Sequence, residues 1–235
     1  MSYSLGVIGG MGPMASEVFY RMLTERTPAE KDQDHINLIL LSHAEMPDRT
    51  TAIKEGDASP RAQEIRRLLT EDIELLERAG CRAFVVTCNT AHYFAEKLAE
   101  GRSIKLISMI NEAAAELARS FPGGRIAVLG TDGTLGTGLY QRALAAKGLT
   151  GEGLDAERQA AVMELIYGCV KAGKPAKPEL LELIDSGVRS GGFDAALLAC
   201  TELSVLKEQG LFAEDYYVDA MDVLARRAVS FCCYA

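Results

Sequence analysis

Cys88 and Cys200 stand at corresponding places in two similar stretches of the chain. Arg78-Ala79-Gly80-Cys81-Arg82-Ala83-Phe84-Val85-Val86-Thr87-Cys88 parallels Ser190-Gly191-Gly192-Phe193-Asp194-Ala195-Ala196-Leu197-Leu198-Ala199-Cys200, at an offset of 112 residues from 88 to 200. In both, a Gly follows a helical pattern, an apolar strand follows the Gly, and the Cys sits at the strand's carboxyl end, where open α/β sheets bind ligands. Each Cys also precedes a helical pattern, in Cys88-Asn89-Thr90-Ala91-His92 and Cys200-Thr201-Glu202-Leu203-Ser204. Backbone N–H groups and a positive helix end there would stabilise a thiolate. Two thiols entering one cleft from opposite sides suit the inversion of a stereocentre bearing a hydrogen. That reaction needs a base on one face and an acid on the other, with roles exchanged for the opposite enantiomer. The blander alternative, that Cys is a common buried residue at strand ends, is weakened by the matching positions and by the polar residues after both.

The other four cysteines read as packing: Cys81 begins an apolar strand, Cys169 lies in a helix, and Cys232-Cys233 is a vicinal pair near the terminus. A metal site at Cys88 and His92 would lack further ligands, since the chain has 3 His and no C-x-x-C. The glycine-rich Gly9-Gly10-Met11-Gly12-Pro13 follows a strand and opens a helix, but its spacing is wrong for a dinucleotide fingerprint. It is either a tight turn alone or a backbone cradle for a small anion. Arg49, just beyond the second strand, is either a bidentate carboxylate clamp or a solvated surface residue. Lys171 by itself reads as a cation at a helix C-terminus.

Short aliphatic runs alternating with longer helical periods must position these groups, the pattern of a parallel sheet with crossover helices. Strands are expected at Leu5 to Gly9, Ile36 to Ser42, Cys81 to Cys88, Lys105 to Ser108, Arg125 to Gly130, Ala195 to Cys200 and Tyr216 to Asp219. Ser59 and Pro60 open an amphipathic helix whose stripe is Ile65, Leu68, Leu69, Ile73, Leu76 and Ala79, ended by Gly80. Further helices are expected after Pro13, Thr90, Asn111, Thr137, Asp155, Pro178, Ser204 and Met221, with a connector over Lys171 to Pro178. Gly9-Gly10-Met11-Gly12-Pro13 has a second copy in Gly130-Thr131-Asp132-Gly133-Thr134, 121 residues on. The expected architecture is therefore α/β: two pseudo-symmetric Rossmann-like domains, each a mostly parallel sheet flanked by helices, with a cleft between. Their expected limits are 1–103 plus 213–235, and 104–212.

With 235 residues, 48% of them hydrophobic and 25% charged, disorder, collagen and coiled coil are excluded. A formal charge of −8 speaks against nucleic acid or an anionic membrane as partner. No apolar run nears the roughly 20 residues of a membrane-spanning helix. Six sparse cysteines behind a start without a signal-peptide pattern make a reducing cytoplasm the expected compartment.

At these residues the chain resembles the aspartate/glutamate racemase family. The resemblance is carried by Gly9-Gly10-Met11-Gly12-Pro13, Pro47-Asp48-Arg49-Thr50, Cys88-Asn89-Thr90-Ala91-His92, Ile107-Ser108-Met109-Ile110, Lys171-Ala172-Gly173, Cys200-Thr201-Glu202-Leu203 and Asp219-Ala220-Met221-Asp222. It implies two pseudo-symmetric domains with the active site between them, commonly a homodimer, and no pyridoxal phosphate or other cofactor. It also implies that Cys88 and Cys200 are the acid/base thiols and that Arg49 and Lys171 meet the substrate's side-chain carboxylate. Asn89, Thr90 and Thr201 would bond the α-carboxylate or ammonium, with Met11 and Thr50 completing the substrate-binding set. Related superfamily isomerases of the hydantoin racemase or maleate isomerase type, a non-catalytic amino-acid-binding protein and a nucleotide-binding module remain the alternatives. Arg49 with Lys171 favours a dicarboxylic amino acid, retention of both thiols favours catalysis, and the glycine spacing disfavours a nucleotide.

Overall fold

The computed structural model describes residues 3–234. The first half comprises β1 (Leu5–Gly9), α1 (Pro13–Arg26), β2 (Leu38–Ser42), α2 (Arg49–Glu55), α3 (Pro60–Arg78), β3 (Ala83–Val86), α4 (His92–Ala99), β4 (Lys105–Leu106) and α5 (Met109–Ser120). The second comprises β5 (Arg125–Leu129), α6 (Asp132–Thr137), α7 (Leu139–Ala145), β6 (Thr150–Glu152), α8 (Ala156–Met163), a π-helical segment Glu164–Val170, α9 (Pro178–Ser190), β7 (Ala195–Leu198), α10 (Thr201–Glu208), β8 (Tyr217–Asp219) and α11 (Ala220–Tyr234). Two parallel four-stranded sheets result, ordered β2-β1-β3-β4 and β6-β5-β7-β8, so the same topology is drawn twice. In each, strand order reverses at the central pair, β1/β3 and β5/β7, and the crevice for a ligand opens beyond the carboxyl ends there.

Both faces of each sheet are covered, which is why the central strands are continuous apolar runs. Leu5, Val7, Ala83 and Val85 of the first sheet and Ile126, Val128, Ala195 and Leu197 of the second enter one shared core with α1, α5, α7 and α11. The alternate residues Ile8, Phe84 and Val86 face α3 and α4, and Ala127, Leu129, Ala196 and Leu198 face α8, α9 and α10. On α3, Ser59 Oγ accepts from Ala62 N–H at 3.2 Å, Pro60 occupies the first turn, and Ile65, Leu68, Leu69, Ile73 and Leu76 are buried as the periodicity predicts. Each such side chain contributes about 1.5–3 kcal/mol on burial.

Strand pairing moves both expected boundaries. β4 pairs with β3, so residues 105–106 belong to the first sheet; β8 pairs with β7, so residues 217–219 belong to the second. The helices after these strands cross over: α5 packs on α7, α11 on α1, and the two helices on each other. The terminal helix α11 packs on α1 and α5 and also touches α10. The strand β6 and the helices α2 and α6 add to the expected elements; Thr150-Gly151-Glu152 at the sheet edge carries no apolar run to announce it. No helix among the described residues is long and apolar enough to cross a membrane.

Candidate active site

The internal repeat is repeated in hydrogen bonds. Thr87 N–H donates to Ile8 O at 3.0 Å and Ala199 N–H to Leu129 O at 2.8 Å. Each bond extends a central strand pair to the residue before a cysteine, so Cys88 and Cys200 leave their sheets at equivalent points. Each is 6% exposed, and both line one cavity of about 10 Å³ between the halves, room for a single water. With them stand Met11, Asp48, Arg49, Thr50, Asn89, Thr90, Lys171 and Thr201, together with Thr131, Tyr167 and Glu202. All nine sequence-derived site residues thus meet in one place.

The surroundings of the two thiols differ. Cys200 stands at the N-cap position of α10, which starts at Thr201 and not after Ser204 as expected, and its Sγ donates to Glu202 Oε2 at 2.9 Å. Burial first, then the Glu202 carboxylate, push the thiol well above its usual range against the opposing pull of Lys171. The expectation of a helix-stabilised thiolate is corrected here: burial and a neighbouring carboxylate outweigh the helix end. Cys88 is followed by a turn, with α4 starting only at His92. The His92 ring is fully buried and held at both nitrogens, Nδ1 against Cys88 O at 2.9 Å and Nε2 accepting from Met109 N–H at 3.1 Å. That pairing fixes the neutral Nδ1–H form and leaves neither nitrogen for a metal; burial also pushes the ring's pKa down.

Arg49 is 8% exposed, not a surface residue. Its Nη1 donates to Met46 O and Pro47 O, and its Nη2 to Met11 O at 2.9 Å. Burial opposes its charge, but Cys88 and Asp48 favour it and the net effect raises its pKa. Lys171 follows the π-helical segment and pairs with Glu202 Oε1, its Nζ also lying 3.4 Å from Met11 O. Burial opposes this charge too, and Glu202 and the site thiols more than compensate. The glycine-rich loop therefore turns the Met11 carbonyl toward two cations. Gly10 has φ +83° and its N–H donates to Ser16 Oγ at 2.8 Å.

Two buried donors in the site, Arg49 Nε and Asn89 Nδ2, have no hydrogen-bond partner among the described residues. Asn89 is oriented by Tyr140, whose hydroxyl donates to Asn89 Oδ1. Buried donors are rarely left unpaired, and two in one cavity fit an anionic ligand. A threonine cluster seals the halves: Thr90 Oγ1 lies 3.0 Å from Thr131 Oγ1 and 2.9 Å from Thr134 Oγ1, and Thr50 Oγ1 donates to Thr131 Oγ1 at 3.3 Å. Tyr167 OH bridges Asp48 Oδ2 at 3.1 Å and Thr50 Oγ1 at 3.2 Å. Outside the chamber, a vestibule of about 530 Å³ with Pro13, Met14, Met46, Val170 and Val205 in its walls shares Arg49, Lys171 and Glu202 with it.

Of the other cysteines, Cys81 and Cys169 are buried as expected, Cys232 is half-buried, and Cys233 is exposed on the outer side of α11 instead of packed.

Doubled parallel sheets with paired thiols in the crevice between them define an α/β racemase fold. The chain belongs to the Asp/Glu/hydantoin racemase family, whose model matches residues 8–228. It is an amino-acid racemase. It is 24% identical over 231 residues to the broad-specificity amino-acid racemase of Bacillus subtilis, covering 96% of each chain. It is 28% identical to the glutamate racemase of Oceanobacillus iheyensis over 63% of this chain and 54% of that one. The solved aspartate racemase of Picrophilus torridus superposes with a TM-score of 0.80 at 28% identity, covering 97% of this chain and 94% of that one.

Proposed function

We propose that this racemase interconverts L- and D-aspartate without a cofactor, Cys88 and Cys200 exchanging the α-proton across opposite faces of the substrate. The observation that carries this reading is the topological equivalence of the two thiols in one cavity. One sulfur takes the α-hydrogen while the other, as thiol, returns a proton to the opposite face. Without a pyridine ring as electron sink, the developing charge is met by hydrogen bonds in a water-poor cleft. Asn89, Thr90 and Thr201 serve the α-carboxylate and ammonium, Arg49 and Lys171 the side-chain carboxylate, with Met11 and Thr50 beside them. General acid/base transfer supplies about 10²- to 10⁴-fold. Closure supplies the rest: a chamber of about 10 Å³ cannot admit aspartate until the halves part across Lys54–Asp132 and the Lys171 Nζ contact with Met11 O.

A broader amino-acid range is favoured by the apolar vestibule, which suits longer side chains, and by the broad specificity of the Bacillus subtilis relative. The family resemblance supports a homodimer, and the sparse cysteines a cytoplasmic setting. The test is to incubate reduced protein with L-aspartate in deuterated water without pyridoxal phosphate, following optical rotation and the α-proton signal. Loss of both supports the reading; no exchange with aspartate, glutamate or other amino acids contradicts it.

A further inference from the structure

The repeat that makes Cys88 and Cys200 counterparts also pairs Thr90 with Glu202, each two residues beyond its thiol. Both are buried, at 5% and 4% exposure, and each faces a glycine of the opposite half. A Cβ on Gly133 would lie 3.0 Å from Thr90 Cγ2, and one on Gly12 would lie 3.4 Å from Glu202 Oε1. Their chemistry differs. The Thr90 hydroxyl lies among the Thr131 and Thr134 hydroxyls, whereas Glu202 accepts from Cys200 Sγ at 2.9 Å and pairs with Lys171. A pseudo-symmetric pair of thiols is thus held by unsymmetric neighbours.

We propose that Glu202 is a positioning residue that keeps the proton on Cys200 in the unliganded enzyme, so that the resting site offers Cys200 as its acid. The inference rests on the two-thiol racemase reading. In the turnover that begins from this state, the Cys88 sulfur takes the α-hydrogen as a proton. The C–H electron pair passes into the substrate carboxylate, and the Cys200 proton is delivered to the other face of Cα. Cys88 then holds a proton and Cys200 a negative charge beside the Glu202 carboxylate. Like charges in contact disfavour that form, and solvent protons return the pair to the resting one. Lys171 acts in the opposite sense: while paired with Glu202 it offsets that carboxylate, and a substrate carboxylate that draws Lys171 away strengthens the hold of Glu202 on the Cys200 proton.

The groups that bear on Cys200 are Glu202 of α10, Lys171 after the π-helical segment, Tyr140 of α7 and, from the first half, Cys88. The test titrates Cys200 alone, in a Cys88→Ala background, by the ultraviolet absorbance of its thiolate against pH. Glu202→Gln, of the same shape, is expected to move the transition down by about one pH unit or more, and Lys171→Met to move it up. An unmoved transition in folded Glu202→Gln overturns the proposal. If circular dichroism shows that variant unfolded, Glu202→Ala decides: a downward shift supports the proposal and an unmoved transition overturns it. The titration needs no turnover, so its outcome is independent of whether aspartate is racemised.

Discussion

The carbonyl of Cys88 accepts a hydrogen bond from His92 Nδ1 at 2.9 Å, and the same ring takes the Met109 N–H at the start of α5. In the second half the corresponding link is made by Ser204, whose hydroxyl donates to Asp219 Oδ1 at 2.6 Å while that oxygen accepts from Met221 N–H at the start of α11. Each thiol-bearing strand end is therefore tied to the helix that crosses to the other half, by a neutral imidazole in one case and a carboxyl in the other.

His92→Ala should cost about 2–4 kcal/mol, because it opens a cavity and strands a buried carbonyl and a buried N–H. Urea unfolding checks this. The His92 pKa is depressed by burial, so its contribution is present above the ordinary histidine value of about 6.5 and is lost as pH falls below it. In His92→Gln that part of the acid-side decline should vanish.

Asp219 behaves in the reverse sense. Burial pushes its carboxyl up to about 6 from an ordinary 3.8. An acid with a raised pKa binds its proton more tightly when folded, so its contribution is full below about 4 and is lost as pH rises through 6. The change is up to about 3 kcal/mol. Asp219→Asn should flatten this segment of the stability profile in unfolding measurements at pH 4 to 7; an unchanged slope would refute it.

Gly133→Ala should prop the cleft open. Its Cβ would lie 2.9 Å from Thr50 Cα and 2.8 Å from Thr50 Oγ1, where α6 of one half meets α2 of the other. Overpacking of this kind costs about 1–3 kcal/mol. Steady-state kinetics should show kcat falling by more than tenfold while the melting temperature drops by only a few degrees.

Arg49→Lys should behave as a loss rather than a conservative change. The guanidinium spans Met46 O, Pro47 O and Met11 O at once, a fork that an ammonium cannot reproduce. Activity toward dicarboxylic amino acids should fall at least tenfold, with a rise in KM as the signature.

Much of this was legible in the sequence because the repeat and the apolar runs are local. The limits of β1 were read in full, and Ser59, Pro60 and Gly80 marked α3. The edge strand β6 was not, since Thr150-Gly151-Glu152 draws its strand character from pairing with β5 and not from its own composition. Nor were the crossed places of β4 and β8, which depend on which sheet edge is free. Within the cavity, both thiols and the residues that follow them are singled out by their positions in the repeat. Glu202 was visible two residues past Cys200, but its role came only with Lys171, 31 residues away. Tyr167 and Asp48 are 119 residues apart and share no local signal. Thr131, in contrast, lay in the second copy of the glycine motif and could have been found from Gly10.

The most direct measurement of the central claim is α-proton exchange by the single variants Cys88→Ala and Cys200→Ala, each incubated reduced and without pyridoxal phosphate with L- and with D-aspartate in deuterated water. The wild type should convert each enantiomer into the other with deuterium at Cα, and neither variant should racemise. Wild-type rates of racemisation in either variant would contradict the account.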